Sequence, residues 1–119
     1  MSKDDKMLDT MINTADIRTE LEKHMDGIAQ DLKDHLEDED IVDYLENNAI
    51  DVQLYVDLSS KEPTGFDIGI VIGGPNIRLI YNRGACQLRG AWGSTTDEKD
   101  VDNEICETIL DYLTEMYRQ

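Results

Sequence analysis

From Phe66 to Trp92 the chain alternates apolar and polar residues in short runs, and the connections between the runs are too short for anything but tight turns. Phe66, Ile68, Ile70 and Ile72 form one run, Ile77 to Tyr81 the next, and Ala85 to Trp92 the last. GGPN at 73–76 and Asn82-Arg83-Gly84 join them. Glycine admits positive φ and proline fixes its own φ, so both segments read as tight connections. Parallel strands need a crossover of a dozen or more residues, so strands joined this closely pair antiparallel. Upstream, Ile50, Val52, Leu54, Val56 and Leu58 alternate with Asp51, Gln53, Tyr55 and Asp57, which predicts a further half-buried strand. Ser59 to Gly65 (SSKEPTG) is a turn by composition. The expected sheet is a four-stranded antiparallel meander.

The flanks have helical period. Met7, Leu8, Met11, Ile12 and Ala15 form one short apolar set, and Ile17, Leu21, Met25, Ile28, Leu32 and Leu36 form a cleaner stripe. Asn13 or Thr14 is placed to cap between the two. Around Asp38 the stripe either runs on through Ile41, Val42 and Leu45 or breaks, with Asp38 capping a separate short helix that exits at Asn47 and Asn48. At the other end, Thr95 followed by Glu98 matches a capping box. Val101, Ile105, Ile109, Tyr112, Leu113 and Met116 then share one face, so DEKDVDNE at 97–104 reads as a helix start. The fold class expected is α+β: N-terminal helices, the meander, and a C-terminal helix packed on one sheet face. With 119 residues, no internal repeat and no linker, residues 1–119 read as a single domain.

Charge narrows the function classes. There are 27 acids and 11 Lys or Arg, a net charge of −16. Residues 1–62 hold 18 acids and 6 bases, residues 63–96 one acid and three arginines, and residues 97–119 eight acids and two bases. Direct nucleic-acid binding wants a basic footprint and is not expected. An acidic surface attracts basic partners instead. The longest apolar stretch is far short of a membrane span, and MSKDDKMLDT lacks the apolar core of a signal peptide, so the expected location is the cytoplasm. Cys86 and Cys106 make no disulfide framework and are expected as two reduced, half-buried thiols.

The candidate site is DHLEDEDIVDYLE at 34–46, with seven acids: Asp34, Glu37, Asp38, Glu39, Asp40, Asp43 and Glu46. No Lys or Arg occurs from Asp34 to Ser60. A solvated helix face is the ordinary explanation of a charge run, but such faces mix signs. Here acids four apart, such as Glu39 and Asp43, repel at ~0.3 kcal/mol a pair. Acids four apart on a helix lie about 6 Å apart along its axis. That is on the scale of successive phosphates, so the row is suited to a basic nucleic-acid channel. Asp97, Glu98, Asp100 and Asp102 are candidates to extend the surface.

Other chemistry finds little support. An EF-hand loop starting at Asp38 would place Val42 and Asp43 where an oxygen ligand and a glycine belong. His24 and His35 lie eleven residues apart, too far along a helix to share one cation, and neither stands beside a nucleophile at catalytic spacing. GGPN lacks the spacing and following helix of a phosphate loop. Carboxylate pairs abound by composition, so none is singled out for glycosidase chemistry. Trp92 reads as a core edge or an interface anchor. Arg78, Arg83 and Arg89 are expected to pair with helix acids and pin the helices to the sheet, with an anion site as the alternative. No metal, cofactor or catalytic residue is expected.

Small size, extreme acidity and an α+β meander, with GGPN before a strand and Trp92-Gly93 after it, resemble the small inhibitors of phages and mobile elements. The groups meant are anti-CRISPR proteins and antirestriction DNA mimics, and the likeness covers overall character and residues 66–93. It implies a non-enzymatic inhibitor that occupies the nucleic-acid channel of a CRISPR effector or nuclease, in the host cytoplasm if phage-encoded. The alternative is a homo-oligomeric, chaperone-like adaptor, such as a homodimer, that uses the stripe from Ile17 to Leu36.

Overall fold

The computed structural model describes the backbone of residues 3–119 and the side chains of residues 16–119. Eight elements follow one another: α1 (Lys3–Glu37), α2 (Ile41–Asn48), β1 (Asp51–Val56), β2 (Pro63–Val71), β3 (Asn76–Asn82), β4 (Ala85–Trp92), β5 (Thr95–Asp100) and α3 (Asn103–Tyr117). The strands form one five-stranded antiparallel sheet in chain order, and the helices cover one of its faces. The α+β class and the meander are as the alternation predicts.

The apolar members of each strand carry the core. Phe66, Ile68 and Ile70 of β2, Ile77, Leu79 and Tyr81 of β3, and Leu88 of β4 are buried. From the helix side come Leu21, Met25 and Leu32 of α1, Ile41, Tyr44 and Leu45 of α2, and Ile105, Ile109 and Leu113 of α3. Full burial of one such side chain is worth about 2 kcal/mol. Gly90 on β4 lets α1 sit close: a Cβ there would lie 2.7 Å from Met25 Sδ and 2.9 Å from Leu21 Cδ1. The β3–β4 hairpin closes on Arg83 and Gly84, both with positive φ (52° and 82°), as a two-residue turn of the twist that strands favour.

Four expectations are corrected. The sheet has a fifth strand where a helix start is expected: Thr95 pairs with Trp92 across Gly93-Ser94, and Thr95–Asp100 runs along β4. Pairing to an existing edge overrides the weak strand preference of Asp, Glu and Lys. Lys99 Nζ meets Asp26 Oδ1 at 2.9 Å and ties the new edge to α1. Next, α1 is one continuous helix, with no cap at Asn13 or Thr14. The side chains of Met7, Leu8, Met11, Ile12 and Ala15 lie outside the described residues.

The upstream strand is also less buried than its alternation implies. Val52 is 47% exposed, and Ile50 and Leu58 fall outside β1 and face solvent. β1 is an edge strand, and the helices above it stop short.

The cysteines, finally, are neither half-buried nor separate. Cys86 on β4 and Cys106 on α3 are both fully within the core and are joined by a disulfide, with Cα atoms 6.0 Å apart. The bond closes a span of 20 residues, for which loop-closure entropy predicts about 3 kcal/mol of stabilisation. Chemical denaturation with and without a thiol reductant is expected to differ by about that amount, and an equal midpoint in both would show that the bond does not staple α3 to the sheet. Among the described residues, no helix is long and apolar enough to cross a membrane.

Candidate functional site

The seven acids of 34–46 come together at the corner between α1 and α2. Asp34 and Glu37 lie in the last turn of α1, Asp38, Glu39 and Asp40 make the turn, and Asp43 and Glu46 lie on α2. All are exposed except Asp40, which is half-buried. The backbone explains the corner. Asp40 N–H donates to the His35 carbonyl at 2.9 Å and Glu39 N–H to the Leu36 carbonyl at 3.2 Å, the two bonds of a Schellman stop. Such a stop needs a left-handed residue, and Glu39 supplies it with φ 59°. The helix does break here, but the residue at the start of α2 is Asp40, not Asp38. Its side chain makes no capping bond, and its Oδ1 is buried without a hydrogen-bond partner. At the far end, Asn47 and Asn48 donate to the carbonyls of Asp43 and Tyr44 (2.9 and 2.8 Å), which closes α2 where the sequence places its exit.

No carboxylate of the corner meets a Lys or Arg among the described residues; the ion pairs lie elsewhere. Asp34 accepts from Gln30 Nε2 at 2.9 Å, and Glu46 accepts from the Tyr112 hydroxyl at 3.3 Å. The corner's histidine is His35. Its Nδ1 donates to the Asp31 carbonyl at 2.7 Å, which raises its pKa above the ordinary 6.5, and the carboxylates of Asp40, Asp31 and Asp38 add to the rise against a desolvation penalty. The Tyr44 ring stacks at a tilt on His35 at 4.9 Å, and burial pushes the Tyr44 phenol up to about 12.

Asp97, Glu98, Asp100 and Asp102 do not extend that surface as a row. Three are on β5, where alternation sends neighbours to opposite faces, and Asp102 precedes α3. Each has a local use. Asp97 accepts from Glu98 N–H at 2.9 Å, Glu98 faces Arg89 at 3.5 Å, Asp100 accepts from Gln87 at 3.2 Å, and Asp102 caps α3 by accepting from Glu104 N–H at 2.9 Å.

Arg78 and Arg89 pair with sheet acids and not with the helix acids expected, and Arg83, in the β3–β4 turn, makes no ion pair among the described residues. On the open face Arg78 binds Asp51 (2.5 Å) and Asp67 (2.6 Å) across three strands. The Arg78 hydrogen bond holds the Asp51 carboxyl below its ordinary range, and the two carboxylates hold the guanidinium in its charged form. Arg78, Ile80, Arg89 and Ala91 line a hollow of about 650 Å³ on that face. With both carboxylates already on Arg78 and Glu98 beside Arg89, the hollow offers an anion no free fork.

His24 is exposed and meets the half-buried Trp92 edge-on at 6.1 Å, so Trp92 is a core edge. Among the described residues no group of three or more His, Cys, Asp or Glu is arranged to hold a metal. A groove between α2, α3 and β1, which no sequence pattern announced, is lined by Leu45, Glu46, Ala49, Val52, Tyr112 and Met116. Comparison with protein families, with characterised proteins and with solved structures finds no match to this chain.

Two outcomes follow from the corner. A left-handed Glu costs about 1 kcal/mol relative to Gly, so Glu39→Gly is expected to raise the urea midpoint by roughly 0.5–1 kcal/mol of stability. A lower midpoint would mean that the Glu39 side chain has a partner in the fold. His35, with its folded pKa above its unfolded value, contributes stability fully below about pH 6.5 and loses it as pH rises through the folded pKa. An imidazole titration followed by NMR is expected to centre above 6.5, and His35→Gln to remove that segment of the stability–pH curve.

Proposed function

We propose that the chain is a non-catalytic binding protein that uses the acidic corner Asp34–Glu46 to engage a basic nucleic-acid-binding protein, occupying the channel that a polynucleotide would take. The observation that carries this reading is the exposed, unneutralised state of the corner: six of its seven carboxylate residues face solvent and none meets a Lys or Arg among the described residues. Fold stability does not account for it. Glu39 occupies a backbone position that suits glycine, and Asp40 forgoes the capping bond that an Asp there ordinarily makes. Carboxylates held this way attract a basic groove at long range and speed association, more so at low salt.

An inhibitor of a CRISPR effector or nuclease is the form of this proposal that the resemblance in size and acidity implies. The adaptor reading has lost its main support: Leu21, Met25 and Leu32 of the stripe are spent on the chain's own sheet. What remains of it rests on residues 7–15, whose side chains are outside the described residues.

The test is the variant with Glu37, Asp38, Glu39, Asp40 and Asp43 all changed to Lys. Immobilised wild-type protein is expected to retain nucleic-acid-binding proteins from a lysate at low salt and release them to competing duplex DNA. The reversed variant, folded by circular dichroism, is expected to bind any such protein on the order of 100-fold more weakly. Equal retention by the two proteins would end the proposal.

A further inference from the structure

The two edges of the sheet are built differently. β5 carries Asp97, Glu98, Lys99 and Asp100 among its six residues, and charges at that density discourage a further strand. β1 has a single charged residue, Asp51, and its carboxylate is already held by Arg78 at 2.5 Å. Sheet order begins at β1, so among the described residues its outer side has no strand and presents unpaired backbone donors and acceptors. No Lys, Arg or Pro stands from Asp34 to Ser60 to guard that edge, and Val52 is 47% exposed on it.

The pairing of β1 with β2 is regular from Asp51 to Tyr55 and shifts register only between Tyr55 and Val56. Gln53 is the middle of the regular stretch. Val52 and Leu54 pair with Ile68 and Phe66 and share their helix-facing side. Asp51, Gln53 and Tyr55 lie on the open side, where Asp67 and Arg78 meet. A strand added beside β1 has to follow the same alternation, with apolar residues toward the helix layer, polar ones toward the open face and no acid opposite Asp51.

β1 itself meets all three conditions. Turned about a two-fold axis through Gln53 and perpendicular to the sheet, a second β1 runs antiparallel to the first and keeps its apolar side toward the helix layer. Val52 then stands opposite the partner's Leu54, Asp51 opposite the partner's Tyr55, and Gln53 opposite its own copy, so no like charges are opposed. We propose that the chain forms an isologous dimer in which β1 pairs with β1 of a second copy in this register, joining the two sheets into one. The contact uses the strand edge and none of the acids of 34–46. It involves far fewer residues than the roughly 20–30 a side of a standard interface, so the dissociation constant expected is micromolar. Each copy brings a net charge of −16, and salt screens the repulsion between them, so the dimer tightens as salt rises. Binding of a basic partner at the corner has the opposite salt dependence, which keeps the two proposals apart.

The test is light scattering and sedimentation of the full chain over a concentration series to about 0.5 mM, at about 50 and about 500 mM sodium chloride. A concentration-dependent dimer is expected, tighter at the higher salt, with slowed amide exchange within 51–55. Gln53→Lys and Gln53→Glu, at an exposed position, each set like charges against one another at the axis and are expected to weaken the dimer about threefold to fivefold. An equimolar mixture of the two variants is expected to associate more tightly than either alone, because Lys then faces Glu. Val52→Lys, which places a charge on the apolar side of the edge, is expected to weaken association at least about tenfold. Three results would overturn the proposal. One is a monomer at every concentration and salt, which would leave the edge to a strand of another protein; another is a dimer that salt dissociates. The third is a mixture of the Gln53 variants that associates no more tightly than its components.

Discussion

The fold depends on one apolar seam, where the stripe of α1 lies on β4. Gly90 makes that seam close, because any side chain there would meet Met25 and Leu21. Leu21, Met25 and Leu32 are then removed from water together with Ile77, Leu79 and Leu88. Because only one face of the sheet is apolar, all three helices must share it. α1 takes the side of β4 and β5 and is held there by the Lys99–Asp26 pair, while α2 and α3 divide the rest. The coverage runs out at β1. The acidic corner where α1 gives way to α2 and the groove beside β1 both follow from that allocation.

Charge is handled differently on the two sides. On the open sheet face each strand acid has a neighbour of opposite sign or a hydrogen-bond donor. Asp51 and Asp67 share Arg78, Glu98 faces Arg89, and Asp100 accepts from Gln87. Those pairs are lateral, from strand to strand, and add a cross-strand contribution of a few tenths of a kcal/mol each where exposed. At the helical corner no carboxylate meets a Lys or Arg among the described residues. Arg78 and Arg89 serve the sheet acids, while Arg18, Lys23 and Lys99 pair with acids of α1 before the corner.

The meander was legible because its signals are local. Alternation of Phe66, Ile68 and Ile70, and turns at Gly73–Asn76 and Asn82–Gly84, specify pairing between neighbours in sequence. β5 was missed although Gly93-Ser94 followed by Thr95-Thr96 is a usable hairpin signal. The acids after it suggested a helix cap, and the cap came seven residues later, at Asp102. The run of acids from Asp34 to Glu46 is visible in one dimension, and the fold gathers it at the turn between α1 and α2. For Asp97, Glu98, Asp100 and Asp102, strand alternation and a helix cap add local contacts that the charge pattern alone does not announce.

By itself the amino-acid sequence determined what short-range physics controls: the helix and strand periods, the hairpin turns, the one-faced sheet and the concentration of carboxylates between Asp34 and Glu46. Only the tertiary structure decided which distant groups meet. The Cys86–Cys106 bond, the Arg78 triad with Asp51 and Asp67, and the exposure of Val52 each depend on where α3 and the strands lie relative to one another. Those positions are set by how three helices of unequal length share a single apolar face, a packing outcome that no local pattern in the chain encodes.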